Sequence, residues 1–391
     1  MKRIFAALLT AALLLSLTAC GKTEPVPVDP PTAPPMEVTP PEPSTEQKPV
    51  EILTEPEDPI DLLLHSMTLE EKVGQLFFVR VPAEDAVEDV SAYHLGGYIL
   101  FGRDTNDRTA NELIQAIAGY QDAAKIPLLI GVDEEGGSVV RVSSNLHLRS
   151  EKFASPQRLY ALGGMEKITA STHEKDTLLA ALGFNVNLAP VADVSVNSGD
   201  FIYNRTFGQD AAATAGYTAA VTAQMTDDGM GSVLKHFPGY GSNVDTHTGI
   251  AVDDRPLETF ETSDFLPFQS GLTAGGSLTA VLVSHTIITA VDETLPASLS
   301  PAVHDLLRTE LEFDGVVMTD DLAMDAVAAY ASDGAVAVMA IQAGNDLVLT
   351  TDYRTQIPKT LEAVENGTLD ESVIDAACRR VLVWKQALGL L

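Results

Sequence analysis

The sequence is poor in cysteine, in positive charge and in long apolar runs, and each shortage removes a class of protein. Only Cys20 and Cys378 occur in 391 residues, so neither a disulfide framework nor a cysteine-based zinc site can be built. Lysine and arginine number 24 against 55 aspartates and glutamates, a formal net charge of -31. A surface that acidic repels phosphate backbones, which disfavours a nucleic-acid partner. Beyond the N-terminus no apolar stretch is long enough to span a bilayer. What is present, 45% hydrophobic and 20% charged residues, is ample for a large buried core and excludes disorder throughout.

Met1, Lys2 and Arg3 precede an apolar run from Ile4 to Leu17, followed by Thr18, Ala19, Cys20 and Gly21. Two cations and then about 14 apolar or small residues make a secretory signal, too short for a comfortable membrane span. The LTACG stretch resembles the bacterial lipobox, in which the cysteine thiol takes a diacylglyceryl group and becomes the mature N-terminus. The expectation is a lipoprotein signal peptide over 1–19, lipid attachment at Cys20, and an extracytoplasmic protein tethered to the bacterial cell membrane without crossing it. Twelve of the 22 prolines lie between Gly21 and Pro59, with no aromatic residue among them. Proline fixes φ and removes a donor, so residues 20–59 read as a disordered, extended tether of about 3.1 Å per residue, on the order of 100 Å in all. That stretch carries 9 acids and 2 lysines, which leaves 46 acids and 20 bases in the domain at 60–391.

Within 60–391, eight short apolar runs bounded by turn residues are candidate strands: Gly74–Val81, Gly97–Phe101, Pro127–Asp133, Asn185–Ala192, Ser232–Phe237, Ala280–His285, Gly315–Thr319 and Asp346–Thr350. Helical periodicity fills segments between them, such as Asn111–Ala124, Ala211–Met230, Pro301–Leu311 and Asp325–Gln342. Strand then helix, repeated about eight times over some 300 residues, predicts an α/β chain folded as a (β/α)8 TIM-like barrel, with a doubly wound sheet as the alternative. In a barrel the chemistry belongs just after each strand. Those positions hold Arg103 and Asp104; Asp133, Glu134 and Glu135; Asp193; Lys235 and His236; His285; Asp320 and Asp321; Thr351 and Asp352. Aspartate after a strand is also a common helix cap, so the ensemble rather than any one member points to an enzyme.

Three constellations stand out. In Val317–Ala326, Asp320 is the first residue past a buried run and is a candidate nucleophile, while Asp321 is placed to cap a helix opening at Leu322. In Lys235–Gly249, Asp245 and His247 stand two positions apart along a glycine-bearing loop; a carboxylate beside a histidine fixes its tautomer and suits it to general acid and base work. In Gly131–Arg141, Asp133 sits at a strand end, Gly136 and Gly137 allow a tight turn, and Arg141 returns toward the mouth; with Arg205 these residues could frame a sugar pocket. The same residues also fit a metal-dependent barrel hydrolase, although Val79-Arg80-Val81 stands where such enzymes carry a His-X-His pair. A tethered sugar-binding lipoprotein is a third, non-enzymatic reading.

The stretches VDEEGG, NRTFG, KHFPGYG, VDTHTG and MTDDLAM occur in the order found in family 3 glycoside hydrolases, and the chain resembles their β-N-acetylglucosaminidase (β-N-acetylhexosaminidase) branch over Leu62–Val327. The resemblance implies an exo-acting, retaining hydrolase on a (β/α)8-like barrel, needing no metal and no organic cofactor. Asp320 matches the nucleophile, His247 the histidine acid and base, and Asp245 its carboxylate partner. Asp133, Arg141, Arg205, Lys235 and His236 match positions that hold the terminal sugar. The expected substrates are cell-wall fragments or chitooligosaccharides ending in N-acetylglucosamine; another β-glycosidase of the same family, or phosphate as acceptor in place of water, stays open. Relatives that take the acid from a second domain set a contrast: 71 residues follow Asp320 here, room for strand eight and its closing helices, so the acid is expected from the barrel itself. Two departures bear on specificity: Ser138 replaces the arginine common after EGG, and Tyr240 the usual histidine of the PGHG turn.

Overall fold

The computed structural model describes residues 58–243, 249–328, 330–331 and 334–391. Eight parallel strands form its centre: β1 Phe77–Arg80, β2 Gly97–Leu100, β3 Leu129–Val132, β4 Val186–Asn187, β5 Gly231–Phe237, β6 Thr279–Val283, β7 Val317–Thr319 and β8 Val348–Thr350. Each pairs with its sequence neighbour, and β8 returns to pair with β1. The remaining seam is closed by a parallel bridge between Met318 and Leu347, with Thr319 N donating to Leu347 O at 3.1 Å. The predicted barrel is therefore the fold, and the doubly wound sheet is not.

Alternation along the strands sorts the apolar residues into two sets. Phe77, Val79, Tyr98, Leu100, Ile130, Val132 and Val348 point outward and pack under helices. Phe78, Ile99, Leu129, Val233, Leu282, Met318 and Leu349 point into the lumen and fill it. Gly131 belongs to the inward set because Phe78 occupies its space: a Cβ there would lie 2.4 Å from the phenyl ring. From the opposite end of the barrel, Val381 and Trp384 of the helix Glu371–Ala387 complete the same cluster.

The helices start where the sequence supplies caps. Thr109 and Glu112 form a capping box at Ala110–Ala123, Ser155 precedes Pro156 at the head of Pro156–Leu182, and Asp210 and Ser300 cap Ala211–Asp227 and Pro301–Thr309. One expectation is revised. The run Asp325–Gln342 is not a single helix but two, Asp325–Ala328 and Ala335–Ala343, the second entered through Gly334 in the left-handed region.

Candidate active site

The alternation that fills the lumen also sets what crowns it. One step of two beyond Phe78, Ile99, Gly131, Val233 and Met318 come Arg80, Phe101, Asp133, Lys235 and Asp320, the next inward-facing positions of β1, β2, β3, β5 and β7. All five line one cavity of ≈ 460 Å³ at the C-terminal ends of the strands, together with Arg141, Arg205, His236, Phe201 and Asp321. Leu188, Leu282 and Leu349 close it below. Six of the expected residues, Asp133, Arg141, Arg205, Lys235, His236 and Asp320, thus meet in a single pocket. Asp245, His247 and Cys20 lie outside the described residues.

The side nearest β3 and β5 is a closed ionic network. Lys235 Nζ reaches Asp133 Oδ1 at 2.6 Å and Glu135 Oε1 at 2.7 Å, and Arg205 grips Glu135 through Nε at 3.0 Å and Nη2 at 2.7 Å. Burial alone would raise the Glu135 carboxyl, but the Lys235 and Arg205 cations outweigh it and hold the group well below the ordinary carboxylate range. Burial likewise opposes the charge on Lys235, and the Asp133 and Glu135 carboxylates reverse it, so its ammonium is held above the usual lysine range. Arg205 Nη2 is also 3.2 Å from His236 Nε2, while His236 Nδ1 is 2.8 Å from Asp193 Oδ2. The other Asp193 oxygen accepts from Tyr240 N at 2.7 Å. One buried carboxylate thus fixes both the imidazole and the start of the following loop. The ladder register shifts between Lys235 and Phe237, which lets consecutive residues of β5 both border the pocket.

The segment after β3 turns back on itself as a small hairpin, Glu134–Gly136 against Val139–Val140, with Gly136 and Gly137 at φ of 102° and 67°. Glu134 pins its return. The carboxylate accepts from Arg141 N at 2.8 Å, Val142 N at 2.7 Å and the Ser143 hydroxyl. Asn187 of β4 holds the Glu134 backbone on both sides, accepting from its N at 2.9 Å and donating to its O at 3.2 Å. Arg141 is delivered to the pocket by this brace.

At β7, Asp320 Oδ1 accepts from Asp321 N at 2.8 Å, and Asp320 N donates to Val283 O at 3.1 Å. Asp321 accepts from Ala323 N at 2.9 Å, so it caps the turn Leu322–Met324 rather than a helix, which begins only at Asp325. Burial holds the Asp321 carboxyl above its ordinary value. His285 secures this turn, its Nδ1 2.7 Å from Ser298 Oγ and its Nε2 3.0 Å from Asp321 O. Of the remaining strand-end residues, Arg103 and Asp104 pair with each other at 3.3 Å, away from the pocket lining.

The loop after β5 is anchored on both sides. Asn243 Nδ2 donates to Asp253 Oδ2 at 2.7 Å, and Arg255 is clamped between Asp253 at 2.8 Å and Asp264 at 3.1 Å. Among the described residues no group of three or more His, Cys, Asp or Glu side chains is arranged to hold a metal ion. Arg80, Phe101 and Phe201 line the pocket without standing out as site residues in the sequence, and neither do Glu135 and Asp193, which hold the Lys235, Arg205 and His236 side chains from behind. Phe201 is 42% exposed at the rim, its ring 5.8 Å from that of Tyr240.

Residues 68–383 match the glycosyl hydrolase family 3 N-terminal domain. The chain is 33% identical over 330 residues to the β-hexosaminidase LpqI of Mycobacterium tuberculosis, covering 81% of this chain and 82% of that protein. Among solved structures, the family 3 β-N-acetylglucosaminidase from Paenibacillus sp. str. FPU-7 superimposes with a TM-score of 0.77 at 32% identity, over 83% of this chain and 63% of that one. The present chain thus spans just under two thirds of the Paenibacillus protein. The β-N-acetylhexosaminidase of Beutenbergia cavernae DSM 12333 gives a TM-score of 0.71 at 32% identity, over 83% of this chain and 99% of that one. With its barrel matched nearly end to end, this chain belongs to glycoside hydrolase family 3.

Proposed function

We propose that the chain is an exo-acting, retaining β-N-acetylhexosaminidase that frees terminal N-acetylglucosamine from cell-wall fragments or chitooligosaccharides through a covalent glycosyl-enzyme. The observation that carries this reading is the meeting of Asp320 with Asp133, Arg141, Arg205, Lys235 and His236 in one pocket closed below by leucines. A floor of that kind accepts the end of a sugar chain and not its middle. Its relatives, named β-hexosaminidases and β-N-acetylglucosaminidases, support the choice of sugar.

Asp320 is the nucleophile, attacking the anomeric carbon as the glycosidic bond breaks. His247, with its tautomer set by Asp245, protonates the departing oxygen and then takes the proton of the water that releases the sugar. Lys235, His236, Arg205, Asp133 and Arg141 bind the ring hydroxyls; because the first four are already tied together, they need little reorganisation when the sugar enters. Chromophore release from an aryl β-N-acetylglucosaminide and an aryl β-glucoside tests the reading. The N-acetylglucosaminide is expected to be preferred, chelator to be without effect, and Asp320→Ala to lose at least about a thousandfold in kcat. Undiminished turnover by Asp320→Ala would sink the nucleophile assignment, and loss on chelation would favour a metal-dependent hydrolase.

No helix among the described residues is long and apolar enough to cross a membrane. We place the enzyme at the membrane through a lipid on Cys20. Cys20→Ala is then expected to move the activity from the membrane fraction to the soluble one; an unchanged distribution would remove the anchor.

A further inference from the structure

The loop after β5 leaves and returns on two stems, and one guanidinium joins them. On the outgoing stem Gly239 and Gly241 run at φ of 132° and 55°, and both lie against the same charged cluster. A Cβ on Gly239 would collide with Asp264 Oδ1, and one on Gly241 would lie 2.7 Å from Arg255 Cζ. Arg255 Nη2 donates to Gly239 O at 3.4 Å. On the returning stem Asp253 Oδ2 accepts from Arg255 Nε at 3.0 Å and Nη2 at 2.8 Å. The same stem is held from outside, because Val252–Asp253 pairs with Ile287–Ile288 and Asp253 O accepts from Thr289 N at 3.0 Å. Asn243 Nδ2 links the two, donating to Tyr240 O at 2.9 Å and to Asp253 Oδ2 at 2.7 Å. The π-helical turn Phe260–Asp264 completes the socket, offering Arg255 a ring face at 4.4 Å and a carboxylate at 3.1 Å.

Such a cluster is a poor device for stability alone. Asp253 and Asp264 are buried and the Arg255 side chain is 25% exposed, so desolvation consumes much of what the pairing returns, and apolar residues of similar volume would hold the fold as well. Apolar residues would not supply direction. A planar fork of N–H donors fixes the angle and register of each group bound to it. Arg255, Asp253, Asp264 and Asn243 stand outside the pocket lining, so what they fix is the loop and not the sugar. Asn243 is tied on one stem, and on the other Ala251 O accepts from Ile287 N at 2.9 Å. Seven residues stand between Asn243 and Ala251, and Asp245 and His247 are two of them. Resting on the glycosidase reading above and on His247 as its acid and base, we propose that Arg255 is a positioning residue for proton transfer. With Asp253, Asp264 and Asn243 it sets both stems of the loop, and so aims His247 at the glycosidic oxygen and later at the incoming water.

Proton transfer leaves a signature that a purely structural role does not. A phenol that departs readily as its anion needs no proton, whereas a poor leaving group does, so the full-length enzyme is compared on phenyl and 2,4-dinitrophenyl β-N-acetylglucosaminides. For both, kcat/KM reports the step in which the phenol leaves. Arg255→Met would strand two buried carboxylates. The test is therefore carried by Arg255→Lys, which keeps the charge and loses the fork, and by Asn243→Ala, which cuts one half-buried tie. Both are expected to lose about tenfold or more in kcat/KM on the phenyl glycoside and less than about threefold on the dinitrophenyl one. Equal losses on the two glycosides, or none on either, would overturn the proposal. So would thermal melting that finds both variants unfolded at the assay temperature, since the cluster would then hold the fold and not the loop. His247→Ala sets the reference and should show the same split more strongly; adding Asn243→Ala to it should cost nothing further. Additive losses would mean that the tie acts elsewhere, and would overturn the proposal. If His247→Ala shows the split and the other two variants do not, the positioning role alone fails. If His247→Ala loses equally on both glycosides, the acid assignment itself fails and takes the positioning role with it.

Discussion

Glu135 pairs with both cations of the pocket's ionic network, Lys235 and Arg205, and is not itself among the lining residues, so its importance is legible from geometry and not from position in a motif. Replacing it by glutamine leaves Lys235 and Arg205 without their shared counterion. Removing one partner of a buried charge cluster costs about 3–5 kcal/mol, so Glu135→Gln should lower stability markedly and weaken substrate binding. The pH dependence has a definite sign. The carboxyl is depressed in the folded state relative to its ordinary 4.5, so the stability it confers is complete above that value and is lost as pH falls below it. Denaturation curves of wild type and Glu135→Gln should therefore lie far apart at neutral pH and converge on acidification; a constant gap would refute the argument. In the sequence, Asp133, Glu134 and Glu135 look alike. Strand alternation assigns Asp133 inward, but which of its neighbours braces the hairpin and which reaches Lys235 depends on a turn made by Gly136 and Gly137. Arg80 is legible in the sequence as the position two residues beyond the lumen-filling Phe78.

At the scale of elements, all eight expected strands are present, and their order follows from short apolar runs alternating with helix-length segments. Their ends were less legible. Gly74 and Gln75 close the helix Leu69–Gln75 rather than open β1, because Thr68 and Glu71 cap that helix just upstream and carry it forward. The hairpin after β3 and the break between Asp325–Ala328 and Ala335–Ala343 rest on backbone conformations that apolar periodicity does not report. The closing helix Glu371–Ala387 carries a testable oddity. Lys385 is wholly buried beneath the barrel, with Nζ donating to Gln75 Oε1 at 2.6 Å, and burial lowers its pKa from 10.5 to about 7. Between those two values the unfolded chain binds a proton that the folded one does not, so this group makes stability rise with pH across the window. Lys385→Met should flatten that rise when urea midpoints are compared from pH 7 to 10; a parallel pair of profiles would show that Lys385 is charged in the folded state.

For the whole molecule, the division of charge expected from the sequence leaves the excess of acid on the barrel, whose pocket nonetheless concentrates arginine and lysine. The lumen packing has a kinetic consequence. Phe78, Leu282, Met318 and Leu349 fill the barrel below the pocket, and Val381 and Trp384 fill its far end, so among the described residues the cavity is closed from below and open at the mouth. On the mechanism proposed above, a sugar held covalently at Asp320 would lie beneath the group it has lost, and the two fragments would share one exit. The upper fragment must depart first, water must enter over the bound sugar, and the freed monosaccharide leaves last, from the same enzyme form that receives the next chain. N-acetylglucosamine should accordingly inhibit as a pure competitor of substrate, whereas the released aglycone should not; competitive inhibition by both would show a second way out.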